Sequence, residues 1–298
     1  MALFGNYDRP GRGVLKTPHE KTGFFKFWEV YFRHIWGLIK LNMLYCLFLI
    51  PFFIMMSLVA SGDNITVENL KWLWLMVFCG ILGPATAAMT RVARNFSQER
   101  PTFVGHEFFK AFKTNLKQGI IMGYIDTVAL VSFIVGLPIY GEFAKQNSVM
   151  YVPYVLCVIF LLIFFMMHFY IYPMMCSADL GLRQIFKNSL FLVIIGIKNT
   201  MFTFLAALTV ILVFFIFNPY SLILILFFPF SFITFVACYN CYPIIRKHVI
   251  QPYYDQRGEE NPETARYEVS ADEMLFEDKA AEEKPVPKEK RPKRKTIR

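Results

Sequence analysis

Six apolar stretches, each close to twenty residues long, constrain the fold of this chain more than any other feature. They cover about 41–60, 70–89, 119–140, 150–174, 201–217 and 222–245. A helix of ~20 apolar residues is long enough to cross the hydrocarbon layer of a bilayer. Only 18% of the 298 residues are charged and 56% are hydrophobic, whereas soluble proteins average about 25% charged. The pattern predicts an all-α, polytopic membrane protein with about six transmembrane helices rather than a soluble protein.

The distribution of positive charge predicts the orientation of these helices. Lysines and arginines concentrate in 1–40, 90–118 and 180–200, while the intervening loops hold only Lys71 and Lys145. Positive residues are retained on the cytoplasmic side of a membrane. We therefore expect both termini in the cytoplasm. The first forty residues contain no cleavable signal peptide pattern, so the first span would serve as an uncleaved anchor.

Three amphipathic segments lie on the predicted cytoplasmic side, at 23–40, 106–118 and 180–200. Their aromatic and aliphatic residues recur at three- and four-residue steps, with lysines on other faces, which is typical of interfacial helices. For the first segment, packing on other cytoplasmic helices is an equal alternative. The predicted interface anchors are Trp28, Trp36, Arg91 and Arg94.

The expected organisation has three parts. Residues 1–40 form a cytoplasmic leader with an interfacial helix, 41–248 a six-helix membrane domain, and 249–298 a disordered charged cytoplasmic tail. Residues 255–283 of the tail are mainly acidic and Lys284–Arg298 mainly basic, a pattern that does not favour folding. The basic end is expected to be solvated or to bind anionic lipids, at roughly 1 kcal/mol per basic residue. Nucleic acid binding is not expected.

The stretch GPATAAMTRVARNF (83–96) combines small residues with a proline and two arginines. Gly83, Ala85 and Thr86 would let two helix backbones approach closely. Pro84 lacks a backbone donor and bends a helix. We expect a tight packing point here, with a kink that lines a cavity as the alternative.

A polar layer is predicted inside the membrane domain. Asp126, His168 and Asn240 fall at a similar depth in three different spans, and charged groups are costly there. We hypothesise that Asp126 pairs with His168, either as a proton or solute site or as a structural hydrogen bond. Catalytic and metal motifs are absent from the sequence, and the six cysteines fall in or beside apolar segments. We therefore expect a protein that is not an enzyme, with no metal and no cofactor.

Four blocks carry a resemblance to a known family: FGNYDRPG (4–11), LNMLYCLFLIP (41–51), GPATAAMTRVARNF (83–96) and HEFFKAFKTNLKQ (106–118). Together they resemble the YesL-like family of bacterial integral membrane proteins of unknown function, over roughly residues 1–250. The chain looks like a long variant, with an extra N-terminal span and a charged C-terminal tail.

The resemblance implies a multi-pass protein of the cytoplasmic (inner) membrane that accompanies carbohydrate uptake. The expected function is thus an accessory or regulatory membrane protein that acts by protein–protein contacts, with the lipid bilayer and sugar ABC transporter subunits as partners. One alternative is a small-solute transporter or channel that uses the Asp126/His168 layer. Another is a membrane scaffold whose tail recruits partners.

Overall fold

The computed structural model describes residues 23–60, 65–217, 220, 222–259 and 261. This part of the chain is helical apart from turns and short connections and contains no strand. Its first unit extends to Arg246. The helices of this unit are α1 (Gly23–Arg33), α2 (Ile35–Ala60), α3 (Ile65–Ser97), α4 (Val104–Thr114), α5 (Leu116–Gln146), α6 (Tyr151–Met175), α7 (Leu182–Ile195), α8 (Ile197–Ile216), α9 (Leu222–Ile225) and α10 (Pro229–Ile245).

A second unit begins at Lys247. It contains the short helix α11 (Gln251–Arg257), which ends at Gly258. Gly258 adopts a left-handed conformation with φ 64°, a backbone geometry that glycine reaches without steric cost. Of the predicted charged tail, 249–298, the structure describes 249–259 and 261, and the rest lies outside the described residues.

The described helices make this an all-α, membrane-embedded protein. Four segments in the described part are long and apolar enough to cross a bilayer: Ile35–Ile54, Leu116–Gln146, Ser148–Met175 and Ile197–Ile216. Helix α3 has Arg91 and Arg94 in its last two turns, and α10 has 17 residues. Neither is among the four, so a count of six spans and their orientation stay predictions.

Three helix boundaries differ from those predicted from the sequence. The predicted 23–40 helix ends at Arg33, and α2 already begins at Ile35. The predicted 222–245 helix is interrupted between α9 and α10, where Pro229 starts α10. Proline cannot donate the hydrogen bond that would continue the helix through it. Gly196 separates α7 from α8.

Helix α1 packs on α10 through aromatic rings. The Trp28 ring stacks at 6.4 Å on Phe232, and the Tyr31 ring lies 5.4 Å from the same ring. Trp28 is therefore partly buried by protein and is not a free interface anchor, which favours the packing alternative for this segment. Trp36, by contrast, is 75% exposed.

Helices α3 and α5 approach each other through glycines. A Cβ atom added at Gly83 would lie 1.9 Å from the carbonyl oxygen of Gly119. One added at Gly123 would lie 2.6 Å from the carbonyl oxygen of Cys79. No side chain fits at these positions, so the GPATAA stretch is a close-packing point. Pro84 is accommodated within α3, which continues to Ser97.

Helices α1, α4 and α7 lie at one end of the bundle, which we call the α4 end. Arg33 forms an ion pair with Glu99, just after the end of α3. Gln118, in the first turn of α5, donates a hydrogen bond to the Leu180 carbonyl at 3.0 Å. These contacts bring the start of α2, the end of α3, the start of α5 and the end of α6 together.

Candidate functional site

Four helices, α3, α5, α6 and α10, line a partly open cavity of about 330 Å³, here called the intramembrane cavity. Most of its wall is apolar, and hydroxyl groups of Thr86 and Thr90 on α3 add a polar strip. Ionisable side chains from α5 and α6 reach the same wall. The apolar lining includes Leu130, Phe133, Leu161, Phe164, Phe165 and Ile233.

Asp126, His168 and Tyr172 form one hydrogen-bonded cluster on this wall. His168 Nε2 lies 2.9 Å from Asp126 Oδ1, and the Tyr172 hydroxyl donates to Asp126 Oδ2. Asp126 comes from α5, while the other two residues lie one turn apart on the same face of α6. Both oxygens of the carboxyl group thus have a partner. About a quarter of each of the Asp126 and His168 side chains is exposed, where they line the cavity.

The hydrogen bonds of His168 define how protons are held in the cluster. Its Nδ1 lies 2.8 Å from the Phe164 carbonyl oxygen. A carbonyl can only accept, so Nδ1 carries a hydrogen. A lone pair on Nε2 would face an oxygen of Asp126 and be repelled by a carboxylate. One proton therefore lies between Nε2 and Oδ1.

The proton between His168 and Asp126 leaves the pair without net charge. It is either imidazolium with carboxylate or neutral imidazole with carboxylic acid, and the two forms differ by a shift of one proton over a hydrogen bond. Neutrality removes most of the cost of placing an ionisable residue in a membrane. The cluster is thus stable as it stands, yet it holds a proton beside a cavity.

A second hydrogen-bonded chain involves Thr86 and Thr90, which line the same cavity. Thr86 Oγ1 donates to the Leu82 carbonyl at 2.8 Å, so its contact with the Tyr45 hydroxyl, at 3.1 Å, is one in which Tyr45 donates. Thr90 Oγ1 donates to the Thr86 carbonyl at 2.8 Å. Thr86 was expected only as a small packing residue, and the structure gives it this additional place in the cavity wall.

Asn240 does not join the predicted polar layer, and this part of the prediction is wrong. Its side chain donates to Thr203 Oγ1 at 3.2 Å, while its carbonyl accepts from Asn199 at 2.7 Å. On α10, Ala237 and Cys238 line the intramembrane cavity, whereas Asn240 lines a separate groove beside α1 and α8. Equal depth along helices does not place residues on facing sides.

Arg91 and Arg94 hold the end of α6 instead of serving as free interface anchors. Arg91 Nη1 donates to the Cys176 carbonyl at 2.7 Å. Arg94 is only 2% exposed, and its guanidinium donates to Ser177 Oγ and lies 5.2 Å from the centre of the Tyr242 ring. The C-terminus of a helix carries partial negative charge, which compensates these cations. The sequence analysis predicted Arg94 as an interface anchor, whereas the structure places its side chain inside the bundle.

The Cys176 side chain closes the same junction from α6. Its Sγ donates to the Ala87 carbonyl at 3.0 Å. Burial raises the pKa of this thiol to about 11, so the thiol stays protonated and able to donate. All six cysteines are free, and Cys238 and Cys241 are buried among helices, as expected for packing residues.

Two features of the site could have been found in the sequence and were missed. Tyr172 follows His168 by four residues, a spacing that puts both on one helix face. Gly119 and Gly123 form a GxxxG pattern, which is typical of close helix contacts in membranes. By contrast, nothing in the sequence indicated that Arg94 is buried. Among the described residues, no group of three histidine, cysteine or acidic side chains could hold a metal ion.

Comparison with known proteins gives one region of similarity. A family model described as "Protein of unknown function, DUF624" matches residues 65–137. No curated protein and no solved structure matches the chain. The matched region contains α3, α4 and much of α5, and with them Gly83, Arg91 and Asp126. His168 and Tyr172 lie beyond it. The region that resembles this family of unknown function therefore supplies one half of the polar cluster, and α6 supplies the other.

Proposed function

We propose that this protein is a membrane carrier or channel for a small, largely apolar solute with one polar group, and that a proton on the Asp126–His168 pair takes part. One observation carries this proposal: a hydrogen-bonded pair that holds a proton lies in the wall of a cavity of about 330 Å³. Ligand sites are commonly concave, mainly apolar and provided with a few convergent polar groups.

The chemistry of the wall favours an amphipathic solute over a sugar. A sugar has many hydroxyl groups, and each of them would need a hydrogen-bond partner when buried. The polar groups of this cavity are few, and most are already bonded to each other. An aliphatic or aromatic solute would pack on rings such as Phe133, Phe164 and Phe165. Its single polar group would reach His168 or Asp126.

The role of the proton follows from the neutrality of the pair. A solute that accepts a hydrogen bond would favour the form of the pair in which the shared proton points to the solute. A cationic solute would favour loss of that proton, because the pair would then carry a negative charge. Binding and proton movement would then be linked, because either one changes the affinity for the other. Asp126→Asn keeps the hydrogen-bonding capacity of a neutral carboxyl group and removes the exchangeable proton.

The first test asks whether the cavity holds a solute. The protein is purified in mild detergent, and bound small molecules are identified by mass spectrometry. Leu161→Trp would fill the cavity, whereas Leu162→Trp changes a neighbouring residue that is exposed on α6. We expect wild type and Leu162→Trp to retain an apolar compound that Leu161→Trp loses. Equal retention by all three would contradict the proposal.

The second test asks whether the solute moves with a proton. Wild type and Asp126→Asn are reconstituted into vesicles that enclose a pH-sensitive dye, and the compound identified above is added outside. We expect a change in internal pH with wild type and none with Asp126→Asn, although the variant still binds. Equal proton movement in both would rule out a role for the pair.

An accessory role in carbohydrate uptake is the second candidate, as the sequence resemblance implies. It is favoured by the exposed apolar surface of α7, where Phe191 is 52% and Ile194 65% exposed. Such a surface suits contact with a permease in the bilayer. Purification from the native host with mild detergent would recover sugar ABC transporter subunits. Phe191→Ser with Ile194→Ser should lose them and Lys187→Ser should not, while recovery of this protein alone would contradict the role.

Location and orientation complete the proposal. The charge distribution favours six spans with the α4 end in the cytoplasm. The sequence resemblance implies the cytoplasmic (inner) membrane of a bacterium. Neither candidate function requires catalysis. A scaffold role for the tail, and lipid binding by Lys284–Arg298, concern residues outside the described part and are proposals from sequence alone.

A further inference from the structure

A second cavity, of about 300 Å³, lies at the α4 end between α3, α4 and the end of α6. We call it the α4-end cavity. Its wall differs from that of the intramembrane cavity because it is mainly polar. Two basic residues, Arg91 and Lys110, and two acidic residues, Glu107 and Asp179, line it. Thr114 and Asn115 are also in the lining.

The four charged side chains of this cavity are unpaired in the described part of the chain. No ion pair joins any of them to each other or to another described residue, although all four line a single space. Arg91 uses one N–H for the Cys176 carbonyl and has no other hydrogen-bond partner there. Its remaining donors are available to the cavity. A site whose cations and anions form no ion pair with each other is complementary to a ligand that carries both charges.

The position of the cavity indicates where such a ligand would come from. Arg91 lies two residues after the end of the apolar stretch 70–89. Phe103, which precedes α4, is 86% exposed and Phe109 on α4 is 48% exposed. Exposed aromatic residues beside basic ones are typical of the headgroup layer. The cavity thus lies at the depth at which a phosphate and its substituent would be found.

We propose that the α4-end cavity binds a phosphoethanolamine group. Arg91 and Lys110 would bind the phosphate, since guanidinium and ammonium groups both donate to phosphate oxygens. Glu107 and Asp179 would accept hydrogen bonds from the primary ammonium. A phosphate without an ammonium group would leave the two carboxylates without a partner. A quaternary ammonium has no N–H to donate to them. This site is separate from the intramembrane cavity, and it does not depend on solute carriage.

The binding test uses delipidated full-length protein in detergent and native mass spectrometry. Short-chain phosphatidylethanolamine, phosphatidylcholine and phosphatidylglycerol are added at equal concentrations. We expect the ethanolamine lipid to bind about tenfold more tightly than the other two, the effect of one charge-assisted hydrogen bond. Equal binding of the three lipids, or no binding, would overturn the proposal.

Three single variants separate the two halves of the site. Lys110→Gln should weaken binding of the ethanolamine and glycerol lipids alike, since both have a phosphate. Asp179→Asn should abolish the preference for ethanolamine over glycerol. Lys113→Gln changes an exposed lysine of the same helix that does not line the cavity, and it should alter neither. All three residues are exposed, so we expect folded proteins, checked by gel filtration. An equal loss with Lys113→Gln would overturn the proposal.

A competition experiment identifies the source of the group. Water-soluble glycerophosphoethanolamine is added to protein loaded with the short-chain ethanolamine lipid. No displacement at equal concentration would identify a membrane lipid as the ligand, whereas full displacement would identify a soluble compound. Both outcomes support binding of a phosphoethanolamine group. Displacement by inorganic phosphate to the same extent would overturn it, because phosphate lacks the ammonium group.

Discussion

The two cavities of this protein treat ionisable groups in opposite ways. In the intramembrane cavity, Asp126 has a partner for both oxygens and shares a proton with His168. In the α4-end cavity, Arg91 and Asp179 line the same space without an ion pair in the described chain. Unpaired charge is costly in hydrocarbon but tolerable where water and headgroups reach. This difference agrees with the proposed position of the α4 end at the membrane surface, where a ligand from outside could reach the unpaired groups.

The comparison depends on the contact between α3 and α5, because helix α3 lines both cavities. Gly83→Val should have the largest effect of any single substitution described below. Its side chain would meet the backbone of Gly119, which cannot move as a flexible side chain does. We expect the folded protein to be lost, as judged by monodisperse yield in detergent. Gly136→Val is the control, since nothing lies within 4 Å of a Cβ at Gly136, and a normal yield from Gly83→Val would contradict this packing.

Arg94→Leu should have the next largest effect. The substitution removes the donor to Ser177 and the ring contact with Tyr242 at a buried position. It leaves the end of α6 with one arginine rather than two. We expect a loss of about 2–4 kcal/mol of folding free energy, measured by thermal unfolding in detergent. Arg183→Leu, at an exposed residue of α7, should cost little. Equal losses would mean that Arg94 is dispensable at this junction.

These two regions also show how far the sequence alone leads. Six apolar stretches were enough for an all-α membrane protein, and three amphipathic segments for α1, α4 and α7, because both patterns are local. The break before Pro229 and the burial of Arg94 depend on which helices are neighbours. Residue spacing along one helix does not contain that information. Asp126 and His168 could be selected by their cost in a membrane, whereas Asn240 could be excluded only by the side of α10 on which it lies.

Substitution of Asp126 breaks the internal pairing directly. Asp126→Leu would leave His168 Nε2 without a partner and remove the carboxylate acceptor of the Tyr172 hydroxyl, at a cost of about 1–3 kcal/mol. Asp126→Asn can accept from Tyr172 and donate to His168, so its stability should stay close to that of wild type. Thermal unfolding of the two variants provides the measurement. If Asp126→Asn were as destabilising as Asp126→Leu, this would contradict a pair of Asp126 and His168 without net charge.

Tyr172→Phe should have a smaller effect, because it removes one hydrogen bond and no charge. Asp126 would keep the contact with His168 and lose the donor to Oδ2. We expect about 1 kcal/mol of destabilisation and a shifted carboxyl band in the infrared spectrum. Tyr154→Phe on the same helix lies away from the cluster and should leave the band unchanged. An unchanged band in Tyr172→Phe would contradict the hydrogen bond from Tyr172 to the Asp126 carboxyl group.

The smallest effect concerns His34, which precedes α2 at the α4 end and stacks on Phe96 at 4.8 Å. Burial, with a smaller contribution from Arg33, lowers its pKa from 6.5, and Glu99 opposes the shift. The unfolded chain then binds a proton that the folded protein does not. Its stabilising contribution is present above pH 6.5 and lost as the pH falls below that value. Because the ring is partly exposed, we expect less than about 1 kcal/mol. His34→Gln should make the unfolding temperature less sensitive to pH across this range, whereas His106→Gln, at an exposed position on α4, should not. An equal response from both variants would contradict the lowered pKa of His34.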